Sequence, residues 1–348
     1  MRALTVTPQK KNSLDVADMP DPAEQDGDVL VQALALGVCG TDHEIVEGLY
    51  GDAPEGSDRL ILGHESLGTV VEAPKGSDFA AGDLIVGVVR MPDPEPCGAC
   101  AHGEWDMCRN GKYTEHGIKE IHGFGSEQWR VHAEHATKLD PGLREVGVLL
   151  EPTTVVAKAW EQVDRIGDRG WFEPKSVLVT GAGPIGLLGA LIGAQRGLDV
   201  HVLDQTKTGL KPKLVRELGG TYHTTAADAV MKKVKPDVII EATGAVPVIQ
   251  AVLADNVPYG IVVLTGISNP EKVSFDLGAV NRDLVLDNGA VVGSVNANMR
   301  HYEAGAKVLA EADNDWLERL ITRRVPLEKF ADAFERQDGD VKVVLTFD

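Results

Sequence analysis

The 348-residue chain is 43% hydrophobic and 25% charged, the composition of an ordinary globular protein, which excludes intrinsic disorder. Its 53 acidic residues outnumber 34 lysines and arginines, and the net charge of −19 excludes nucleic acid as an expected partner. A chain of this length predicts two domains, each with its own core.

No feature of the sequence predicts export or a membrane span. The N-terminus lacks the apolar run of a secretory signal and is typical of a first strand. Ser176 to Gln195 is uncharged and long enough to cross a membrane, but five glycines and a proline interrupt it, so we predict a buried strand and helix. All four cysteines lie in the first third at metal-like spacing, which fits a reducing, cytoplasmic location.

The first part of the chain, from Met1 to about Leu139, has short strands and turns rich in Gly, Pro and Asp. It shows no regular alternation of strands and helices. This pattern is typical of an antiparallel, barrel-like domain, and loops of such a domain can hold a metal ion.

Three residues of this domain are candidate ligands of one metal ion: Cys39, in the segment GVCGTDH, and His64 and Glu65, which follow a glycine. Thiolate and imidazole suit zinc, and a catalytic zinc takes three protein ligands and leaves a fourth position open. No cysteine follows Cys108, so a later ligand must be of another type. Glu151 follows an apolar run, where a charge needs a partner such as a metal. The alternative for Cys39 is a small buried core residue.

From about Lys175 short apolar strands alternate with helical stretches. Continuous apolar runs are typical of strands buried on both faces of a parallel sheet, so we predict a doubly wound Rossmann domain with crossover helices such as 211–218. The predicted strands are Ser176–Thr180, Asp199–Asp204, Asp237–Glu241, Gly260–Leu264 and Ala290–Gly293.

A glycine-rich loop follows the first of these strands and opens a helix, as in dinucleotide-binding domains. Gly181 would permit the tight turn, Gly183 the approach of a pyrophosphate, and Gly186 the close packing of helix and strand. The candidate cofactor-binding residues are Gly181, Gly183, Pro184, Ile185, Gly186, Asp204, Gln205, Lys207 and Thr243.

Asp204 favours NAD over NADP. It lies 18 residues beyond Gly186, where a carboxylate would accept hydrogen bonds from the ribose hydroxyls and repel a 2′-phosphate. Lys207 and Lys211 leave use of NADP open, because a nearby cation can accommodate that phosphate.

The last stretch, from about Met299, predicts a helix and then a strand over Asp340–Thr346. This strand has no evident partner among the Rossmann strands, so we expect it to return to the first domain. We therefore expect a catalytic domain over 1–160 and 300–348 and a Rossmann domain over 161–299, with Glu161 to Pro174 as a linker.

Together these motifs resemble the zinc-dependent medium-chain dehydrogenases over essentially the whole chain. The resemblance rests on GVCGTDH, LGHE at 62–65, HGFGSE at 122–127, LEP at 150–152 and the glycine-rich loop. Glu151 stands where alcohol dehydrogenases have a third cysteine, and GSVNANMRHY at 293–302 resembles the substrate segment of aldose enzymes, so the chain is most similar to the archaeal-type glucose dehydrogenases. The resemblance implies an α/β fold with a GroES-like catalytic domain and a Rossmann domain.

The resemblance also implies roles around the metal. Cys39, His64 and Glu151 would be zinc ligands, directly or through water, with Glu65 ligating or exchanging with water. The Thr41 hydroxyl would relay the substrate proton. His43 would continue the relay, or would be an ordinary histidine on a helix surface.

Substrate contacts are implied at five residues. Glu115 matches the position that accepts sugar hydroxyls in these enzymes, although a solvent-exposed glutamate is its alternative. Asn296 and His301 would contribute an amide and a ring. Thr41 and Glu151 are the remaining two implied substrate contacts.

Cys97, Cys100 and Cys108 resemble the structural-zinc lobe of the same family, which normally provides four cysteines. Pro94 stands where the first cysteine would be. Three thiolates leave a tetrahedral site incomplete, so either Asp93 or Glu95 supplies an oxygen or the site is lost. We predict a bound zinc with Asp93 as fourth ligand.

The expected reaction is oxidation of the C1 hydroxyl of an aldopyranose such as D-glucose to a lactone, with hydride transfer to NAD or NADP and zinc as Lewis acid. A polyol or secondary-alcohol dehydrogenase is the nearest alternative. A non-catalytic zinc- and nucleotide-binding redox sensor is a more distant one. The expected partners are a small sugar and further copies of the chain, since relatives are dimers or tetramers, with no nucleic acid and no membrane.

Overall fold

The computed structural model describes residues 1–347. The chain forms two compact units, Met1–Thr154 together with the segment from Asn296 onward, and Val155–Val295. The boundaries predicted from the sequence, 160/161 and 299/300, lie six and four residues later. Each unit is described by itself below.

The strands are β1 (Arg2–Val6), β2 (Asp15–Asp18), β3 (Val29–Val38), β4 (Leu60–Ile61), β5 (Glu65–Glu72), β6 (Leu84–Gly87), β7 (Arg90–Met91), β8 (Thr114–His116), β9 (Glu120–Ile121), β10 (Gln128–Val131), β11 (Ala136–Lys138), β12 (Ser176–Thr180), β13 (Asp199–Leu203), β14 (Thr221–His223), β15 (Val238–Glu241), β16 (Ile261–Leu264), β17 (Ala290–Gly293), β18 (Ile321–Pro326) and β19 (Lys342–Thr346). The α-helices are α1 (Gly40–Val46), α2 (Leu150–Gly167), α3 (Pro184–Gln195), α4 (Leu210–Glu217), α5 (Ala227–Val234), α6 (Val246–Ala254), α7 (Leu277–Leu286), α8 (Met299–Ala310), α9 (Asn314–Leu320) and α10 (Phe330–Phe334).

The first unit is built on a seven-stranded, mainly antiparallel sheet in the order β11-β6-β5-β3-β19-β18, with β10 also paired to β3. Two three-stranded sheets, β2-β1-β4 and β7-β8-β9, complete its strands. Strand β3 lies in the middle of this sheet. In its first half, buried apolar side chains alternate with partly exposed ones, so one face of the strand packs into the core. The antiparallel domain predicted for the first part of the chain is therefore present.

The final strand joins this unit, as predicted. Strand β19 pairs antiparallel with β3, so that Val343 lies opposite Val38, and parallel with β18. This pairing matters for the surroundings of Cys39, because it brings Lys342, the first residue of β19, beside the end of β3 that leads into that cysteine.

The second unit contains a six-stranded parallel sheet in the order β14-β13-β12-β15-β16-β17. This is the order of a doubly wound nucleotide-binding domain, with the glycine-rich loop after the first strand, β12. Five of its strands start or end within one residue of the predictions. The edge strand β14 was not predicted, because Thr221–His223 is three residues long and has one fully buried side chain.

The predicted linker from Glu161 to Pro174 is wrong in its first half. Helix α2 continues to Gly167, with buried Val156, Ala159, Trp160 and Val163 at helical spacing. That periodicity buries one face of the helix and extends it into the predicted linker. In residues 1–347 no helix has both the length and the apolar character that a membrane span requires.

Candidate active site

Cys39, His64 and Glu65 meet in the first unit, where strand β3 ends and β5 begins. The Sγ of Cys39 lies 3.1 Å from Nε2 of His64, and one ligand atom from each of the three residues falls within 4.8 Å of the others. The pairing of Gly37 with Glu65 fixes this register. Strand pairing therefore brings together residues that are 25 positions apart in the sequence.

Two glycines make this close approach possible. A Cβ on Gly37 would lie 1.9 Å from Oε2 of Glu65, so a larger residue would displace that carboxylate. Gly63, immediately before His64, has a φ of +94°, which L side chains rarely adopt.

Asp42 holds the first two candidate ligands in position. Its Oδ2 accepts the backbone N–H of Cys39 at 2.8 Å, and its Oδ1 lies 3.4 Å from Nδ1 of His64. The carboxylate is 1% exposed. A carboxylate behind a histidine ligand fixes its tautomer and orientation. The sequence analysis assigned Asp42 no role, although an acid three residues after a helix N-cap is a recognisable signal.

Lys342 holds Glu65. Its Nζ lies 2.6 Å from both carboxylate oxygens and donates to the carbonyl of Val38 at 3.2 Å. Burial alone would lower the pKa of Lys342, but Glu65 raises it above its ordinary value. Lys342 was not predictable from the sequence, because nothing in the primary structure connects positions 65 and 342.

Glu151 is the second residue of α2. Its pKa is raised to about 7, mainly by burial and also by the charge of Glu65, while His64 lowers it. The charges of Glu65 and His64 therefore both influence Glu151. It is outside the group of three whose ligand atoms lie within 4.8 Å of one another.

The donor set suits a zinc ion. Burial raises the pKa of the Cys39 thiol, so a thiolate there needs a nearby cation. The charges of Cys39 and Asp42 likewise overcome the effect of burial and raise the pKa of His64 well above its usual range. The site therefore gathers a thiol, an imidazole and the carboxyl groups of Asp42, Glu65 and Glu151 against the single amine of Lys342. A divalent cation would supply the further positive charge.

Glu115 and Asn296, two of the predicted substrate residues, are in contact. Nδ2 of Asn296 donates to Oε1 of Glu115 at 2.8 Å, and Arg90 donates to the same oxygen through Nε at 2.9 Å. Glu115 is 4% exposed, so the alternative of a solvent-exposed glutamate is wrong. Arg90 was not singled out from the sequence, and strand pairing of β7 with β8 brings it here.

Three other predicted residues of this unit, Thr41, His43 and His301, differ in burial and in contacts. Thr41 is the second residue of α1 and is partly exposed. His43, on the same helix, packs edge-on against the ring of Phe334, and burial lowers its pKa. His301 is buried in the first turn of α8, where its Nδ1 accepts the backbone N–H of Asn298 at 3.0 Å. One of its two ring nitrogens is thus committed to the backbone.

The cysteines of the second cluster also meet. Ligand atoms of Cys97, Cys100 and Cys108 lie within 4.8 Å of one another. Hydrogen bonds, the largest from the Arg109 amide, lower the pKa of Cys97 to about 6, whereas burial raises that of Cys100 to about 11.

Two carboxylates were considered as a fourth ligand for this cluster. Asp93 is 2% exposed, and its Oδ1 accepts the Glu95 amide while its Oδ2 is buried without a partner among residues 1–347. The Glu95 side chain is 84% exposed. Asp93 is outside the group of three whose ligand atoms lie within 4.8 Å of one another. Of the two carboxylates, the orphaned buried oxygen on Asp93 nevertheless fits a ligand better than the solvated Glu95 does.

The glycine-rich loop in the second unit has the geometry of a phosphate-binding turn. Gly181 has a φ of +88°, and a Cβ on Gly186 would lie 1.8 Å from the Gly181 carbonyl oxygen. Nothing lies within 4 Å of the space that a Cβ on Gly183 would fill. Pro184 and Ile185 form the first turn of α3, whose N-terminus can interact with anions.

Asp204 follows β13 and lies beside this loop. Its Oδ2 accepts the Ala182 amide at 2.7 Å, its Oδ1 accepts the Thr206 amide at 2.8 Å, and Lys211 is 3.7 Å away. Burial opposes ionisation, but these hydrogen bonds and Lys211 lower the pKa of Asp204. Gln205 and Lys207 continue the same segment.

A buried carboxylate missed by the sequence analysis organises the neighbouring turn. Glu241, at the end of β15, accepts from the Thr180 hydroxyl at 3.1 Å and from the amide and hydroxyl of Thr243. The predicted cofactor residue Thr243 is therefore anchored by Glu241. The sequence signal that could have identified Glu241 is a charged residue at the end of an otherwise apolar strand.

Comparison with known proteins agrees with this geometry. Residues 144–347 match the family described as glucose dehydrogenase C-terminus, and residues 25–141 match the alcohol dehydrogenase GroES-like domain. The chain is 41% identical to glucose 1-dehydrogenase of Methanocella arvoryzae and 43% identical to that of Thermoproteus tenax, each over 99% of both chains.

Solved structures are similar over the full length. The Haloferax mediterranei glucose dehydrogenase in complex with NADP, Zn and gluconolactone matches with a TM-score of 0.92 at 31% identity, covering 100% of this chain and 99% of the other. The chain therefore belongs to the glucose dehydrogenase family of zinc-dependent medium-chain dehydrogenases, with a GroES-like domain and a Rossmann-type domain.

Proposed function

We propose that this protein is a zinc-dependent glucose 1-dehydrogenase, which oxidises the C1 hydroxyl of D-glucose or a related aldose to the lactone and transfers hydride to NAD(P). The observation that carries the proposal is the meeting of Cys39, His64 and Glu65 in a chain whose full-length relatives are named glucose 1-dehydrogenase. The gluconolactone bound by the Haloferax enzyme supports the same reaction.

Cys39, His64 and Glu151 would hold the zinc, with Glu65 as the fourth, exchangeable group. The Lys342 amine neutralises Glu65 and competes for both of its oxygens, which supports a transient rather than a permanent role for that carboxylate. When bound, the zinc supplies Lewis-acid stabilisation of a developing alkoxide. Asp42, which lies 3.4 Å from Nδ1 of His64, would leave Nε2 of that ring as the nitrogen that holds the zinc.

The chain's own residues would orient the sugar and move its proton. Glu115 retains one oxygen, Oε2, that neither Arg90 nor Asn296 uses in the contacts described, so it can accept a sugar hydroxyl. Arg90 forms an ion pair with this buried carboxylate and would hold it in place. Thr41 would pass the C1 proton towards solvent, consistent with its partial exposure. His301 would contribute its imidazole ring, which the Asn298 amide holds in place through Nδ1.

The cofactor would bind at the loop from Gly181 to Gly186, with its pyrophosphate at the N-terminus of α3 and its ribose at Asp204. Gln205, Lys207 and Thr243 would complete the contacts. Asp204 favours NAD, and Lys211 beside it makes use of NADP feasible.

The deciding experiment measures initial rates with NAD and with NADP on D-glucose, D-xylose, D-galactose, sorbitol and a secondary alcohol, before and after treatment with a chelator. We expect chelator-sensitive oxidation of an aldose, restored by added zinc. Activity confined to sorbitol or the alcohol would replace the sugar assignment with a polyol or alcohol dehydrogenase. Stoichiometric zinc without turnover on any substrate would favour a redox sensor.

Two further proposals concern the protein's surroundings. Cys39, Cys97, Cys100 and Cys108 form no disulfide, which fits a reducing compartment and supports a cytoplasmic location. The exposed edge strand β17 and the neighbouring exposed apolar residues Leu277, Val285 and Leu286 support a homodimer formed through the second unit.

A further inference from the structure

The first unit contains a cavity of about 590 Å³, a volume typical of small-molecule sites. Of residues 1–347, neither the candidate zinc ligands nor Glu115 lines it. Thr114 and His116 line it, and because side chains alternate along a strand, they point away from the face of β8 that carries Glu115. The cavity and the proposed glucose site are therefore separate.

Two histidines give the cavity a defined acceptor and a defined donor. Nδ1 of His116 lies 2.7 Å from the carbonyl oxygen of His122, which can only accept, so Nδ1 carries the proton and Nε2 is an acceptor. Nδ1 of His122 accepts the Ile61 amide at 3.1 Å, so its proton is on Nε2, which is a donor. Burial lowers the pKa of both rings, that of His116 to about 4, so both are neutral at pH 7.

An aromatic pair adds an unused donor and an apolar surface. Phe124 and Trp129 both line the cavity, with ring centroids 4.8 Å apart. Trp129 is 3% exposed, and its indole N–H has no hydrogen-bond partner in the part of the chain that the structure describes. This nitrogen is shielded from solvent, so a ligand hydroxyl would recover the cost of the unpaired donor only by a shift of the indole ring towards the cavity.

The charged groups of the lining have hydrogen-bond partners, except for Nε of Arg130, which is buried without one among residues 1–347. Asp21 pairs with the N-terminal amine at 3.1 Å, Asp26 accepts the Ala23 amide at 2.9 Å, and another nitrogen of Arg130 donates to the Gly27 carbonyl. The two neutral histidines add a donor and an acceptor beside the aromatic rings. A pyranose has the matching chemistry, since each hydroxyl both donates and accepts and its C–H faces pack on aromatic rings.

We propose that this cavity is a second, non-catalytic binding site for a neutral pyranose. The probe is 1,5-anhydro-D-glucitol, which has the glucose ring but no C1 hydroxyl to oxidise. The holoenzyme is labelled with 5-fluorotryptophan, giving five fluorine signals, and Trp129→Phe identifies the one from Trp129. We expect a saturable shift of that signal as the probe is added.

Two variants of adjacent residues on β8 separate the cavity from the glucose site. His116→Phe should weaken the probe's effect on the Trp129 signal at least tenfold while leaving the KM for glucose unchanged. Glu115→Gln should raise that KM and leave the Trp129 titration unchanged. A Trp129 signal that does not move, or whose titration follows Glu115→Gln rather than His116→Phe, would overturn the second site without affecting the proposed function.

Discussion

Asp42 shows how one buried side chain can set the properties of a metal site. It touches the backbone of Cys39 and the ring of His64, and it is not itself among the proposed ligands. Asp42→Asn should therefore lower zinc affinity about 10- to 100-fold, the usual cost of losing such a carboxylate. Zinc retained after dialysis against graded chelator concentrations measures this. Glu44→Gln, exposed on the same helix, is the matched control.

The control should behave like the unmodified protein. If Asp42→Asn holds zinc as tightly as Glu44→Gln does, the carboxylate has no orienting role, and its contact with His64 is incidental.

Asp204 makes a separate prediction at the residue scale, concerning cofactor choice. Asp204→Ala removes a charged acceptor from the proposed ribose site and the repulsion of a 2′-phosphate. Loss of hydrogen bonds to a charged group should weaken NAD by about 10- to 100-fold and affect NADP less. The ratio of kcat/KM for the two cofactors measures the effect, with Asp228→Ala as a control in the same unit. An unchanged ratio would contradict the ribose assignment.

At the scale of elements, the parts of the fold that follow from local patterns were predictable. The parallel strands β12 and β17 were predicted to the residue, because continuous apolar runs between turns leave few alternatives. The antiparallel first domain and the return of β19 followed from similar reasoning. Strand β14 was missed because its three residues carry too little apolar periodicity.

The candidate site was predictable only where its residues lie in recognisable motifs. Cys39, His64 and Glu65 belong to such motifs, and the structure brings them together. Lys342 and Arg90 do not, because each reaches its carboxylate only through strand pairing. Long-range register is a property of the folded sheet, and no local pattern in a single sequence specifies it.

The loop of the second cysteine cluster makes an element-scale prediction. If Cys97, Cys100, Cys108 and Asp93 hold a structural zinc, Cys97→Ser should reduce the zinc content from two ions per chain to one and lower the melting temperature. Turnover at low temperature should persist, because the cluster would stiffen its loop and take no part in chemistry. Metal analysis and a thermal scan measure both. An unmodified protein with one zinc per chain would show that this site has been lost.

For the whole molecule, buried neutral histidines predict acid sensitivity. Burial lowers the pKa of His116, His122, His135 and His223 in the folded state, that of His116 to about 4. At these four positions the unfolded chain binds more protons between pH 6.5 and 4, so these histidines make stability fall as the pH is lowered through that range. Glu151, whose pKa is raised to about 7, acts in the opposite direction, and we expect the four histidines together to outweigh it. His116 alone accounts for up to about 3 kcal/mol at 1.36 kcal/mol per pKa unit.

Thermal scans at pH 7 and pH 5 test this linkage. The melting temperature should be lower at pH 5, and His116→Phe should reduce the difference between the two values, because a phenyl ring cannot take up the proton. An equal difference in the variant would mean that other groups dominate the acid response.

The proposed homodimer is the remaining prediction for the whole molecule. Strand β17 is an edge of the parallel sheet, and two copies related by a twofold axis can pair such edges antiparallel to form one continuous sheet. Val291 on β17 is 38% exposed, and Leu286 on α7 is 64% exposed. Val291→Lys with Leu286→Lys should convert a dimer into a monomer, measured by light scattering after size-exclusion chromatography. Trp171→Lys, at an apolar side chain 84% exposed elsewhere in the same unit, should leave the mass unchanged. If only Trp171→Lys reduced the measured mass, the dimer interface would not be at β17.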